Sequence, residues 1–326
     1  MLRRVIGFFE PFVLALLGTV LLASLLPVRG AAVPMFGGLT DAGIVLLFFL
    51  HGAKLPREAI VAGFAQWRLH LLVLGVTFGL FPLFGIAFSH LPLLPASLAT
   101  GMLFLTLLPS TVQSSIAFTA MARGNVPAAV CTAAFSNLAG IFATPLLVAL
   151  LIGDGNGGVT INTASIKLIV MQLLVPFLLG HALRPLVGGF VARQKRLVTL
   201  VDRGSILLVV YTAFSAAVVE DLWSKVSGTT LIVLIVCCCT LFLLVWCSTL
   251  LLARWAGLSR EDMVVLQFCG SKKSLASGVP MAGVLFPVAQ VGMMILPLML
   301  FHQIQLLICA VLARHYARQP LEPVDA

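Results

Sequence analysis

The chain has 326 residues, 60% of them apolar and 10% charged. Soluble domains carry about a quarter charged residues, so this composition excludes an ordinary soluble fold and indicates a polytopic membrane protein. Lys and Arg outnumber Asp and Glu, 20 to 11, yet the cations fall between apolar segments and form no basic run interleaved with aromatics, so the expected partner is the lipid bilayer and not nucleic acid. The seven cysteines include the consecutive Cys237, Cys238 and Cys239 and form no CxxC or Cys/His ligand spacing, which argues against disulfides, metals and cofactors.

Arg3 and Arg4 precede an apolar run ending near Pro27. That pattern resembles a signal peptide, but with many spans following it reads as an uncleaved first helix. Ten spans are expected: Phe12 to Leu26, Asp41 to Ala53 with its flanks, His70 to Phe88 with a kink near Pro82, Ala96 to Met121, Pro127 to Ile152, Ser165 to Leu183, Gly204 to Val219, Thr229 to Ala253, Met263 to Phe286, and Ala289 to Leu312. With the N-terminus inside, fifteen of the twenty Lys and Arg fall on the inner side. Three, Arg29, Lys167 and Lys225, fall outside, and Lys272 and Lys273 lie within a span. This asymmetry is the one expected of ten spans with both ends cytoplasmic.

A turn-rich linker, residues 153–164, separates a first half (1–152) from a second (165–316), leaving a polar tail (317–326). Five spans per half put the second half in the opposite orientation, so the expected fold is all-α, with ten transmembrane helices arranged as two inverted five-helix repeats. Asp41-Ala42-Gly43-Ile44-Val45-Leu46-Leu47 and Asp202-Arg203-Gly204-Ser205-Ile206-Leu207-Leu208 share Asp-x-Gly-x-x-Leu-Leu at the second span of each half. Gln113-Ser114-Ser115-Ile116-Ala117 similarly parallels Lys272-Lys273-Ser274-Leu275-Ala276.

Spans four and nine carry the chemistry. Gly270 to Ser274 interrupts two apolar runs too short to cross alone, about 20 residues being needed. Charge at the bilayer centre costs at least ~2.5–3.5 kcal/mol per residue on insertion scales, so two lysines there mark function. The alternative, a short cytoplasmic loop with solvated lysines, leaves each half too short to span. In span four, Pro109 removes a helix hydrogen bond, while Ser110, Thr111, Gln113, Ser114 and Ser115 offer groups to satisfy freed backbone. Ordinary interhelical packing is the competing reading of those residues. Transporters with inverted repeats place such breaks together at the midplane, where they bind substrates and ions. Ser136 and Asn137 in span five, Ser274 in span nine, and His302 and Gln303 in span ten join Lys272 and Lys273 as candidate substrate- or ion-binding residues. His51 and His181 read as interfacial, and the phenylalanines as packing. No paired catalytic acids within the membrane, HExxH, or Gly-x-Ser set with a His suggests an enzyme, and no repeated filter suggests a channel.

Ala122-Arg123-Gly124-Asn125 after span four, and Lys273-Ser274-Leu275-Ala276-Ser277-Gly278-Val279-Pro280-Met281 in span nine, resemble the bile acid:sodium symporter family, solute carrier family 10. The wording is most similar to its seventh-member-type branch and bacterial relatives. The resemblance implies a panel domain from spans one, two, six and seven, a core from spans three to five and eight to ten, crossing spans four and nine, and symport of a small, anionic organic solute. It also implies a cell-membrane location, here the bacterial inner membrane. The sodium ligands of that family are not matched. Aligned on Ser274, Phe268 stands for a Glu and Lys272-Lys273 for Gln-Asn, Ile116 for an Asn, and Ala129 and Ala133 for hydroxyl residues. Two like charges ~4 Å apart repel by about 4 kcal/mol at an effective dielectric of 20, so sodium is not expected there and proton coupling is an alternative. Three roles for the lysines follow: Lys272 replaces the bound cation by bonding freed carbonyls, one lysine carries a proton, or one attracts an anionic substrate. A membrane regulator or sensor that keeps the transporter fold without coupled transport is the alternative function.

Overall fold

The computed structural model describes residues 11–54, 66–153, 170–221 and 226–319, and all regular elements among them are helical. In chain order they are α1 (Pro11–Leu25), α2 (Ala32–Lys54), α3 (Trp67–Ser89), α4 (Ala96–Thr106), α5 (Gln113–Met121), α6 (Val126–Leu151), α7 (Val170–Ala182), α8 (Arg184–Arg193), α9 (Lys195–Val219), α10 (Gly228–Trp255), α11 (Arg260–Gly270), α12 (Leu275–Leu285) and α13 (Val288–Arg318). Six of them, α2, α3, α6, α9, α10 and α13, are long and apolar enough to cross a membrane.

The expected spans four and nine are each two short helices. α4 and α5 are separated by Leu107 to Val112, and α11 and α12 by Ser271 to Ser274. Pro109 explains the first break, since it donates no hydrogen bond and its ring collides with the preceding turn. The kink expected near Pro82 is a single π-turn, Val76–Leu80, inside α3. There the Phe81 N–H bonds the carbonyl of Val76, five residues back. In that register the Thr77 carbonyl faces Pro82, which has no N–H, so it is released from the helix.

Several elements differ from the sequence expectation. The second span is a full 23-residue helix, because Pro34 sits in its first turn, where a missing N–H does no harm. The stretch left between the expected spans six and seven is itself helical: α8 turns 93° from α7, with Pro185 starting the new helix, and α9 begins at Lys195. α13 continues through the expected start of the tail to Arg318. The Arg260 guanidinium donates to the Tyr316 carbonyl at 2.7 Å, satisfying a C-terminal orphan group. Lys167, Lys225 and most of the linker lie outside the described residues. The sequence parallel between spans four and nine also shifts: α5 begins at Gln113 and α12 at Leu275, so Lys272, matched to Gln113, precedes its helix.

α9 packs against α1, α2, α12 and α13, while α2 packs against α7. α4 lies between α3 and α13, and α5 lies against α6, α11 and α13. Small residues permit the closest of these approaches. A Cβ added to Gly52 would lie 2.0 Å from the Phe177 carbonyl oxygen, and one added to Gly180 would lie 2.0 Å from that of Phe49. The backbones of α2 and α7 therefore touch at two points. Gly52→Ala or Gly180→Ala should lower stability by about 1–3 kcal/mol, the usual cost of overpacking. Thermal unfolding of the purified protein in detergent tests this, and an unchanged midpoint would show that the helices are not so closely apposed.

Candidate functional site

A helix that ends inside a membrane leaves carbonyls with neither a helical partner nor water. Around the first break these carbonyls find partners one by one. Leu107 receives the Thr144 hydroxyl at 2.7 Å. Pro109 receives the Ser274 N–H at 2.9 Å. Ser110 receives the Asn137 amide at 2.9 Å. The Ser110 N–H in turn donates to the Ser136 hydroxyl at 3.0 Å. A Cβ on Gly140 would lie 2.7 Å from the Pro109 ring, so α6 lies directly against the break.

At the second break the donors come from the first. The Ser110 hydroxyl donates to the Cys269 carbonyl, and the Ser115 hydroxyl donates to that of Phe268 at 2.8 Å. Ser274 caps α12 through the Ser277 N–H at 3.2 Å. The Ser277 hydroxyl donates to Asn137 Oδ1 at 2.9 Å. Asn137 therefore joins both breaks.

Lys273 holds the two breaks together. Its Nζ donates to the carbonyls of Thr77 at 2.8 Å, Thr106 at 2.7 Å and Leu108 at 2.7 Å. These are the carbonyl released by the π-turn, that of the last residue of α4, and one from the break that follows it. The Phe81 ring centroid lies 4.1 Å from the ammonium. Gln305 fixes the lysine backbone on both sides, accepting from its N–H at 2.9 Å and donating to its carbonyl at 3.0 Å. Hydrogen bonds to a charged group contribute about 1.5–3 kcal/mol each, and a desolvated cation over a ring about 2 kcal/mol. Together they match an effective desolvation penalty of several kcal/mol. A full charge is therefore tolerable at this fully buried position.

Lys272 is also fully buried but differently served. Its Nζ reaches the Ser114 hydroxyl at 3.3 Å and lies 4.5 Å from the Phe118 ring centroid and 5.8 Å from that of Phe268. No acid occurs in the sequence between Gly101 and Gly153, nor between Met263 and Leu321. α4, α5, α6, α12 and α13 thus contribute no carboxylate to pair with either lysine.

A cavity of about 1030 Å³ opens beside the crossing. Its polar wall is Thr111, Gln113, Ser114, Asn137, Ser274 and Ser277, with His302 and Gln303 on the α13 side. Leu47, Phe48, Ile141 and Phe177 supply apolar wall, and Lys54, Asp202, Arg203 and Arg314 stand at its charged end. Lys54 and Asp202 form an ion pair at 2.5 Å between α2 and α9.

Every candidate read from the sequence lies at the crossing or on this cavity. Ser110, Ser115, Ser136, Asn137, Lys273 and Ser274 join the breaks, whereas Gln113, Ser114, His302 and Gln303 face the cavity. Asn137 and Ser274 also line the cavity, as does Thr111, which is bonded to Ser115 at 2.7 Å. The part expected of Lys272, bonding freed carbonyls, is played by Lys273, because its side chain points at the α4 terminus. His51, expected at an interface, lines the cavity. Ser277, Thr144 and the phenylalanines around the ammonium groups go beyond the sequence reading of sites. Gln305 stands out in the sequence beside His302 and Gln303 as a polar residue in the middle of span ten, whereas the phenylalanines carry no such mark.

Truncation gives a direct check. Lys273→Ala leaves three buried carbonyls without donors, and each unsatisfied group costs about 1–3 kcal/mol. The variant should melt far below wild type, and methylammonium in the buffer should raise its midpoint more than it raises that of wild type. Equal midpoints for the variant and wild type would rule out the role of the ammonium as a cross-link.

Comparison with known proteins identifies the family. Residues 10–318 match the SBF-like CPA transporter family. The chain is 56% identical to "Uncharacterized protein PA2026" of Pseudomonas aeruginosa over 313 residues, 95% of this chain and 93% of that protein. It is 52% identical to "Putative symporter YfeH" of Escherichia coli over the same length, 95% of this chain and 93% of that one. "Sodium/bile acid cotransporter 7-B" of Xenopus laevis is 26% identical over 283 residues, 84% of this chain and 81% of its own. The chain belongs to the SBF-like CPA transporter family and is a multi-pass membrane transporter, not an enzyme.

Proposed function

We propose that the protein moves an amphipathic organic anion across the membrane by alternating access, with the Lys273 ammonium in place of a bound sodium ion at the helix crossing. The carrying observation is the triple carbonyl coordination of Lys273. Backbone oxygens from broken helix ends are the ligands a small cation would use in such transporters, and here a tethered cation has them. Ala129 and Ala133 add no side-chain oxygen, and Phe268 stands where a carboxylate would help hold a metal ion. These residues do not fit sodium.

The architecture proposed is ten spans in two inverted halves, α1–α6 and α7–α13, with both termini cytoplasmic and the bacterial inner membrane as the site. α1, α2, α7 and α9 form the panel, and the helices around the crossing form the core. The packing of α9 on α1 and α2, and of α2 on α7, supports that division. The cavity lies between the two groups. Its volume, about 1030 Å³, is at the upper end of the ~300–1,000 Å³ usual for small-molecule sites. Lys54 is paired with Asp202, and with Arg203 and Arg314 added the charged end keeps an excess of cations that favours an anion; it is the cytoplasmic end in this topology, so the conformation is inward-open. Apolar walls opposite the hydroxyl and amide wall suit an amphipath, in keeping with relatives named as bile acid cotransporters.

Uptake of labelled taurocholate by proteoliposomes tests this reading. Saturable uptake of equal rate in sodium and in choline medium is expected. A requirement for sodium would refute the lysine substitution. Taurocholate binding without flux in either medium would instead favour a regulator that keeps the transporter fold.

A further inference from the structure

The two adjacent lysines differ in what their surroundings allow, and that difference carries a step beyond anion transport. Three acceptors surround the Lys273 nitrogen, and all three are carbonyl oxygens, which cannot donate. Only the ammonium form supplies three donors. An amine there would direct its lone pair at a carbonyl oxygen and leave a buried acceptor unpaired, so Lys273 is held in the charged form.

Lys272 has no such constraint. Among the described residues its hydrogen-bond partner is the Ser114 hydroxyl at 3.3 Å, a group that accepts or donates. With an ammonium, Ser114 accepts from Nζ and donates to Thr111 Oγ1 at 2.9 Å. With an amine, the same hydroxyl turns to donate to the nitrogen lone pair. The rings of Phe118 and Phe268 stabilise the charged form at 4.5 and 5.8 Å without being needed by the neutral one. The other titratable groups facing Lys272 are the Cys269 thiol from α11 and the Cys309 thiol and His302 ring from α13, besides Lys273 itself. None of the elements α4, α5, α6, α12 or α13 brings a carboxylate that would lock the charge in place.

We propose that Lys272 is the proton-binding site that couples transport, alternating between ammonium and amine, while Lys273 remains a fixed cation. This rests on the reading of the chain as an anion transporter. Ser114 connects the site to the cavity, since it lines the cavity and reaches Nζ. A proton passes from hydronium in the cavity through the Ser114 hydroxyl to the amine, leaving water behind. After the cavity opens to the other side, the ammonium returns one proton to water. No other bond changes. The ammonium balances one negative charge of the solute beside it, so the loaded crossing carries no added charge and the pair moves together.

The test uses the full chain, purified in detergent with ¹⁵N at the lysine side-chain nitrogens. There are six lysines, and Lys272→Gln and Lys273→Gln assign the two buried signals, with Lys272→Arg as the better-folding substitute. Across the pH range in which the protein stays folded, Lys273 should give an ammonium signal throughout, and Lys272 should pass from ammonium to amine. Proteoliposomes then connect this to flux. An inside-alkaline gradient should speed taurocholate uptake by wild type, and flux through Lys272→Gln or Lys272→Arg should not respond to the gradient. Ammonium signals from both lysines at every pH, a titrating Lys273, or wild-type flux indifferent to the gradient would each overturn the assignment. Absence of any wild-type flux overturns the transporter reading instead, and the nitrogen signals still decide which lysine exchanges its proton.

Discussion

Two helices that stop inside the membrane leave backbone carbonyls where no water can reach them, and the rest of the crossing is arranged to satisfy those oxygens. An unpaired polar backbone group in such a place costs several kcal/mol. Hydroxyls from Ser110, Ser115 and Thr144, the amide of Asn137 and the ammonium of Lys273 each take a share. Donors from one break answer acceptors of the other, so neither broken helix is complete without its partner. The π-turn in α3 belongs to the same system, since it frees the Thr77 carbonyl to become the third ligand of the ammonium.

The far ends of the half-helices are fixed as well. Arg123 adopts φ 57°, ending α5 in the left-handed conformation that closes a helix. Asn125 then caps α6 through the Ala128 N–H at 3.1 Å and donates to Asp262 Oδ1 at 2.9 Å. Asp262 lies in the first turn of α11, whose cap is Ser259. α11 is thus joined to the start of α6 at Asn125–Asp262 and to α5 at Ser115–Phe268, two points far apart in sequence. Helices tied at two points move as one body. In the proposed cycle, motion is therefore confined to the cavity side, where the Lys54–Asp202 ion pair joins α2 to α9.

How much of this was legible in the sequence follows from what each residue does locally. Pro109 and Gly270-Ser271-Lys272-Lys273-Ser274 break a helix by their own chemistry, so both interruptions showed in the string of letters. Ser136 and Asn137 stood out as polar residues in an apolar span, and they meet the crossing as expected. Which of two neighbouring lysines reaches the carbonyls depends on side-chain direction after the last turn of α11, a tertiary fact, and the sequence reading put that role on Lys272. The π-turn is likewise hidden: Pro82 announces a kink, but the release of the Thr77 carbonyl depends on how the ladder slips. α8 falls between the expected spans six and seven because it is too short to cross a membrane alone, and its 93° turn from α7 needs the neighbouring helices to set it. Phe81 and Phe118 are ordinary membrane residues by letter and become cation partners only by position.

A tethered cation changes what the crossing can do. A diffusible ion contributes its gradient to transport because it enters on one side and leaves on the other, and its binding free energy depends on its concentration. The Lys273 ammonium cannot leave. It holds the broken helices together in every state, without the entropic cost of capturing an ion, and it supplies no gradient. On the proposed reading the three carbonyls form a structural joint, and the energy for accumulation enters elsewhere. Lys272, one residue away and bonded to a hydroxyl that opens on the cavity, is placed to exchange with solvent without disturbing that joint. Dividing the work between adjacent lysines separates two demands that one ion would otherwise meet together: keeping the fold intact and changing charge during the cycle.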